Sequence, residues 1–300
     1  FDTNNINFLS ERLDVKKDKK DYLLEGTIRN KNSPLNDQLL QIIKLKYPQF
    51  DFINTNFETN NDFSFNINNK FKVKNLAINS SILIDSSQFK KNNLISKNFI
   101  EINDLIDLKD HEIKATYSNK KLSIKGKGQV KIQNKFELIN YDIINNGSDL
   151  KLVSNIELSE LDIKNQSLIK EYLPKTKDIL NLKDHKIELN YKDDVLSLQG
   201  LGKIKLEKEL NKIEYFFSTK DEKYNFKTDL EINDTPIKIN LINYKKNKNL
   251  NSQLKINGNY NKKFSLNFKK ISLLSKNNNL IVNDLKIDKN NKLTKVDKID

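Results

Sequence analysis

Residues 105–132 and 179–206 are two copies of one stretch. The first reads LIDLKDHEIKATYSNKKLSIKGKGQVKI and the second ILNLKDHKIELNYKDDVLSLQGLGKIKL, offset by 74 residues without a gap. Leu108, Lys109, Asp110, His111, Ile113 and Tyr117 recur as Leu182, Lys183, Asp184, His185, Ile187 and Tyr191. Leu122, Ser123, Gly126, Gly128 and Lys131 recur as Leu196, Ser197, Gly200, Gly202 and Lys205. The offset also relates Leu94-Ile95 to Leu168-Ile169 upstream and Tyr141 to Tyr215 downstream. A long fixed period signals stacked supersecondary units rather than one closed globule. It divides the chain into 1–81 (N-terminal strands and a helix), repeat units 82–155 and 156–229, and a diverged partial unit 230–300.

Inside the repeat the hydrophobic period is two. Leu122, Ile124, Gly126, Gly128, Val130 and Ile132 face one way, and Lys121, Ser123, Lys125, Lys127, Gln129 and Lys131 face the other. Strict alternation marks a strand with one buried and one wet face. Glycines on the apolar side predict a bend, a bulge or a close backbone approach. Phe63, Phe65 and Ile67 alternate likewise, as do Phe71 and Val73 and, after a slip, Leu76 and Ile78. Further strands are expected at about 136–144, 149–158, 185–192, 195–206, 211–219, 223–233, 236–244, 251–260, 263–273 and 279–288. Short polar turns separate them, so neighbours pair antiparallel in a meander.

Two helices are expected. Ser33 fits an N-cap and Pro34 a first helical position, with Leu35, Leu39, Ile42 and Ile43 on one face, giving a helix over 34–45. Gln166–Leu173 reads as a second, ended by Pro174, and its counterpart at 92–100 lacks the proline. This insert is expected to be absent after 233. The reading is therefore a mainly β fold: an elongated antiparallel β-meander or groove of 74-residue repeats, with a few short helices.

The chemistry of an enzyme is missing. There is no cysteine, methionine or tryptophan, so thiolate metal sites are excluded. The two histidines, His111 and His185, hold equivalent repeat positions with no nucleophile beside them, and read as structural residues of a Lys-Asp-His turn before a strand. No phosphate-cradling glycine loop or nucleophile elbow occurs. Neither cofactor nor metal is expected. The formal charge of +13 suits nucleic acid or an anionic membrane. The lysines are spread along alternate strand positions rather than gathered in a block, so a solvated face is expected and nucleic acid is not. The chain starts at Phe1, and no run of about 18 apolar residues could span a bilayer. It is therefore expected to be an internal or processed piece whose anchor lies elsewhere.

Many apolar strand stripes and few helices leave three solutions: a sandwich, a closed barrel, or a gutter with an apolar floor. At this point the repeat resembles the AsmA-like proteins of Gram-negative bacteria, in particular their YhdP-like branch. The likeness rests on the Leu-Lys-Asp-His-x-Ile motif and the Tyr117/Tyr191 strand. It rests also on Ser123-Gly126-Gly128 with its copy Ser197-Gly200-Gly202, on Asn140-Tyr141, and on the segment Asn243–Leu250. The resemblance implies a periplasmic protein held to the inner membrane by a segment outside this chain. It implies a β-groove that carries phospholipid acyl chains between inner and outer membranes, with no catalytic residues. The expected groove lining is Leu122, Ile124, Val130 and Ile132, their copies Leu196, Leu198, Ile204 and Leu206, and Ile237, Ile239, Leu254 and Ile256. The rival expectation is a structural β-repeat, a scaffold or adhesin-like stalk with a closed dry core.

Overall fold

The fold is that of a computed structural model. It describes residues 2–3, 6–35, 52–90, 104–147, 149–165, 170, 173–233, 235–239, 244–248, 250–261, 265–276, 279–289 and 292–300. The described chain is antiparallel β almost throughout. It divides into two compact units, 1–154 and 155–300.

The first unit opens with a small hairpin, β1 (Asp2–Thr3) and β2 (Ile6–Asn7). A meander follows: β3 (Leu9–Asp18), β4 (Asp21–Pro34), β6 (Asn56–Ile67), β7 (Val73–Lys90), β8 (Leu105–Ser118), β9 (Lys121–Ile132) and β10 (Lys135–Asn145). Each of these strands pairs antiparallel with the next. A two-residue strand, β5 (Phe52–Ile53), lies beside β7. The next strand, β11 (Leu150–Lys164), begins in the first unit and ends in the second.

The second unit repeats the scheme. Its meander is β12 (Ile179–Lys192), β13 (Val195–Lys205), β14 (Leu210–Lys220), β15 (Lys223–Ile232), β18 (Ser252–Asn261), β19 (Ser265–Ser275) and β20 (Asn279–Asp288). Between β15 and β18 the chain makes a separate hairpin, β16 (Ile237–Ile239) with β17 (Tyr244–Lys246). Two short strands, β21 (Leu293–Lys295) and β22 (Lys298–Ile299), pair with β20. The turns Asn119–Lys120, Asp193–Asp194 and Asp221–Glu222 hold both residues at positive φ. That is the type I′ geometry whose twist matches the flanking strands.

In each unit the long connections leave from one end of the strands, which also carries the short β9–β10 and β13–β14 turns, and the other end carries turns such as those after β3, β6, β8, β12 and β14. In the second unit the connection end is a packed core. Leu180, Ile204, Leu206, Leu230, Ile232, Leu273, Leu280 and Val282 are buried there with Leu173 and with Ile237 of the hairpin. Lys246, fully buried, fastens that hairpin by donating from Nζ to the carbonyls of Asn233 (3.0 Å) and Thr235 (3.1 Å).

Several expectations are corrected. Ser33 and Pro34 do not start a helix: they extend β4, opposite Phe57 and Asn56. Pro34 is the last residue of the strand, where a missing N–H is tolerated; the rest of the expected helix, and the stretch 92–100, lie outside the described residues. Of Gln166–Leu173 only Lys170 and Leu173 are described, the first helical and the second a buried bend. The insert does not vanish after 233. It recurs one period on as the β16–β17 hairpin: of the strand expected over 236–244, the described residues Ile237–Ile239 and Tyr244 pair in that hairpin, outside the large sheet. Phe71 is not in a strand but in the β6–β7 turn.

Candidate functional site

The site follows from register. On β9, Leu122 faces Tyr117 and Asn145, Ile124 faces Ala115 and Ile143, and Val130 faces Leu108 and Glu137. These rungs place Leu122, Ile124, Val130 and Ile132 on one face, all half-buried. The same face runs back through Ile113, Ile78 and Ile82 to Phe63 and Leu24. At its start Leu13 and Val15 on β3 stand 58% and 57% exposed. The opposite face carries charge paired across strands, as in Lys127 with Glu112 (2.8 Å), Lys125 with Asp142 (3.4 Å) and Lys131 with Asp107 (3.4 Å).

The apolar face of unit one is not uniform. Near the connection end its buried side chains are polar, apart from Ile106. Asn30 donates to the Phe57 carbonyl (3.1 Å) and accepts from Thr59, and Asn61 donates to Thr59 (2.9 Å) and to the Ile28 carbonyl (3.1 Å). Glu137 is buried there too. The continuous aliphatic and aromatic strip is the half nearer the turns. The sequence did not reveal this, because Asn and Thr at alternate positions look like a wet face until the register puts them inside.

In unit two the expected lining separates into two groups. Leu196, Leu198 and Ile256 are half-buried beside an aromatic ladder, Phe217 to Tyr224 (5.7 Å between centroids) to Tyr260 (5.8 Å). Ile204, Leu206 and Ile237 belong to the closed core, with Ile239 and Leu254 packed on it. A cavity of about 630 Å³ opens elsewhere, on the charged face among Glu157, Lys186, Glu188, Glu214, Lys227 and Asp229. Its lining mixes these charges with the exposed Leu201 and Phe216, which stand on the face opposite the apolar strip.

The repeated histidines are structural, but the motif is a bulge inside a strand and not a turn before one. Register slips between Lys183 and Lys186, and equally between Lys109 and Glu112. Asp184 and Asp110 take the left-handed conformation there, at φ of 53° and 54°. The bulge aims each imidazole across the neighbouring strand's glycine. A Cβ on Gly128 or Gly202 would overlap the ring of His111 or His185, and one on Gly126 or Gly200 would overlap Tyr141 or Tyr215. His185 Nε2 lies 2.9 Å from the Lys203 carbonyl and so donates to it, while Tyr215 Oη donates to Nδ1 at 3.2 Å. His111 repeats this with Gln129 (3.0 Å) and Tyr141 (3.3 Å). Each neutral ring has both nitrogens satisfied.

Burial pushes both imidazoles below the usual 6.5, against smaller upward pulls from the carbonyls and from Asp110 and Asp184. It pushes the hydroxyls of Tyr141 and Tyr215 up to about 12. A depressed histidine contributes stability that is complete above the unfolded value and lost as pH falls through the folded one. The unfolding midpoint in urea is therefore expected to fall as pH drops from about 7.5 to about 5. A His111→Gln/His185→Gln variant should lose less over the same interval. An equal loss in both proteins would remove the histidines from the account.

Among the described residues no group of three His, Asp or Glu side chains is placed to hold a metal ion. None of their helices is long and apolar enough to cross a membrane. Comparison with family models, with curated proteins and with solved structures gives no match.

Proposed function

We propose that this chain is a segment of a bridge-like lipid-transfer protein of the periplasm, along which phospholipid acyl chains pass between inner and outer membranes. The acyl chain lies across the strands on the apolar face, and the headgroup stays in water. One observation carries the reading. Among the described residues of 1–154 only Ile106 is a buried hydrophobic side chain, although seven paired strands present aliphatic and aromatic residues to the same side. A face this apolar and this uncovered fits a ligand that supplies the missing cover at roughly 0.8 kcal/mol per buried CH₂.

The second reading, a structural repeat with a dry core, is favoured by the closed cluster around Ile232 in unit two. The two readings separate by crosslinking. Photo-crosslinking residues at Leu122, Ile124, Val130 and Ile132 are expected to capture phospholipid in cells, and the same probe at Ser123, Lys125, Gln129 and Lys131 is not. Capture at neither set supports the scaffold. Equal capture at both means non-specific membrane contact and defeats the conduit.

A further inference from the structure

The β6–β7 turn holds a side chain that neither the fold nor the conduit uses. Phe71 is 86% exposed and sits at φ 57°, a left-handed conformation that is an outlier for a bulky residue. The loop is built to hold it. Asn68 Oδ1 accepts from the backbone N–H of Lys70 (3.0 Å) and Lys72 (2.9 Å), and the Asn68 carbonyl accepts from the Phe71 N–H (2.9 Å). A lone exposed apolar residue needs no explanation by itself. One held in a strained backbone by three hydrogen bonds, and flanked on both sides by lysine, does.

The charge around it differs from that of the strands. Residues 16–21 and 68–74 carry seven lysines against two aspartates. The two turns are adjacent, since Lys74 of one pairs with Asp21 of the other at 3.1 Å. Lys19, Lys20, Lys70 and Lys72 have no ion-pair partner among the described residues; strand lysines such as Lys125 and Lys127 have one, and others such as Lys114 and Lys151 do not, so it is the crowding of lysines that sets the tip apart. Val73–Ala77 runs past the first rung between β7 and β8, Ile78 with Tyr117, so the Phe71 turn projects beyond the β8–β9 turn. Tyr22 and Val73 flank Ile67 on the apolar face, at the foot of the turn that carries Phe71.

We propose that this projecting pair of turns docks on an anionic lipid bilayer, with Phe71 inserted at the acyl boundary and the four lysines on headgroup phosphates. The occupant follows from the chemistry. Unpaired lysines around one protruding ring match an interface that is anionic outside and apolar beneath. A single-stranded nucleic acid needs a row of aromatics on a basic face, and this tip offers one ring. The inference stands apart from the conduit reading: acyl capture at Leu122 can fail with docking intact, and the reverse.

The chain has no tryptophan, so Phe71→Trp gives it a single tryptophan, at the tip, that can be excited apart from the tyrosines. Its emission is expected to shift to the blue with vesicles of phosphatidylcholine plus phosphatidylglycerol, and not with phosphatidylcholine alone. In co-sedimentation with the mixed vesicles, Lys70→Gln/Lys72→Gln is expected to weaken binding roughly 25-fold, about five-fold for each lysine at such a surface. Phe71→Asn, which suits the left-handed backbone, should weaken it about ten-fold, the scale of one buried aromatic. Lys114→Gln/Lys151→Gln, at exposed strand positions, should change it far less. No blue shift, equal binding to neutral vesicles, or equal loss from the strand-lysine control would overturn the proposal. So would tighter binding to single-stranded DNA at physiological salt that Phe71→Asn leaves unchanged.

Discussion

Alanine at Gly202 is expected to destabilise the protein by about 2–4 kcal/mol when His185 is present, and by less than about 1 kcal/mol when His185 is also alanine. The added Cβ would occupy the imidazole's place. The ring cannot yield freely, because it is buried, anchored at both nitrogens and carried by a bulge whose register is fixed on either side. Displacing it leaves the Lys203 carbonyl and the Tyr215 hydroxyl without their partner, each a part-buried polar group. His185→Ala removes the obstacle at its own cost, and the second alanine then fills part of the space. The cycle should therefore be strongly non-additive, and the Gly128/His111 pair should reproduce it one period away. Urea unfolding of the four proteins measures the coupling. Additive costs would mean that ring and glycine do not share one space, and the repeat's main packing motif would need another explanation.

The same motif marks how far the sequence could be read. Alternation and period located most of the strands and the antiparallel meander, because both are local patterns that a sheet obeys rung by rung. Gly126 and Gly128 were legible as sites of close approach. The approaching groups were not, because Tyr141 and His111 reach them from different neighbouring strands. Lys-Asp-His looked like a turn for a physical reason: Asp110 does adopt the left-handed conformation of a turn, and a bulge uses the same conformation inside a strand. The helix signal at Ser33-Pro34 was overridden by pairing with β6, since a short capping signal is weaker than the rungs that continue β4. Phe71 obeyed the alternation of its neighbours, and only the turn geometry separated it from them. The polar break at Asn30, Thr59 and Asn61 became visible only once the register placed those residues inside.

The expected difference between the two apolar faces is largest for a buried charge. Ile232→Asp is expected to unfold the second unit, because Ile232 is 0% exposed among Leu206, Leu230, Leu273 and Leu280. An unpaired carboxylate there costs several kcal/mol, a large share of the roughly 5–15 kcal/mol that holds a domain. Ile124→Asp should behave differently. Ile124 is half-buried between Ala115 and Ile143, so water reaches the new carboxylate and the loss is about 1–2 kcal/mol of apolar contact. The protein stays folded, but a passing acyl chain must now cover a charge. Phospholipid capture by a crosslinker at Leu122 is then expected to fall at least ten-fold, since about 1.4 kcal/mol suffices for that and desolvating the carboxylate costs more. Circular dichroism and urea unfolding check the first half, and crosslinking in the Ile124→Asp background checks the second. If Ile124→Asp unfolds the protein as Ile232→Asp does, the face of the first unit is closed like the core of the second and cannot conduct lipid. If it stays folded and capture is undiminished, the acyl chain does not cross β9 at this rung, and the path proposed for it is wrong.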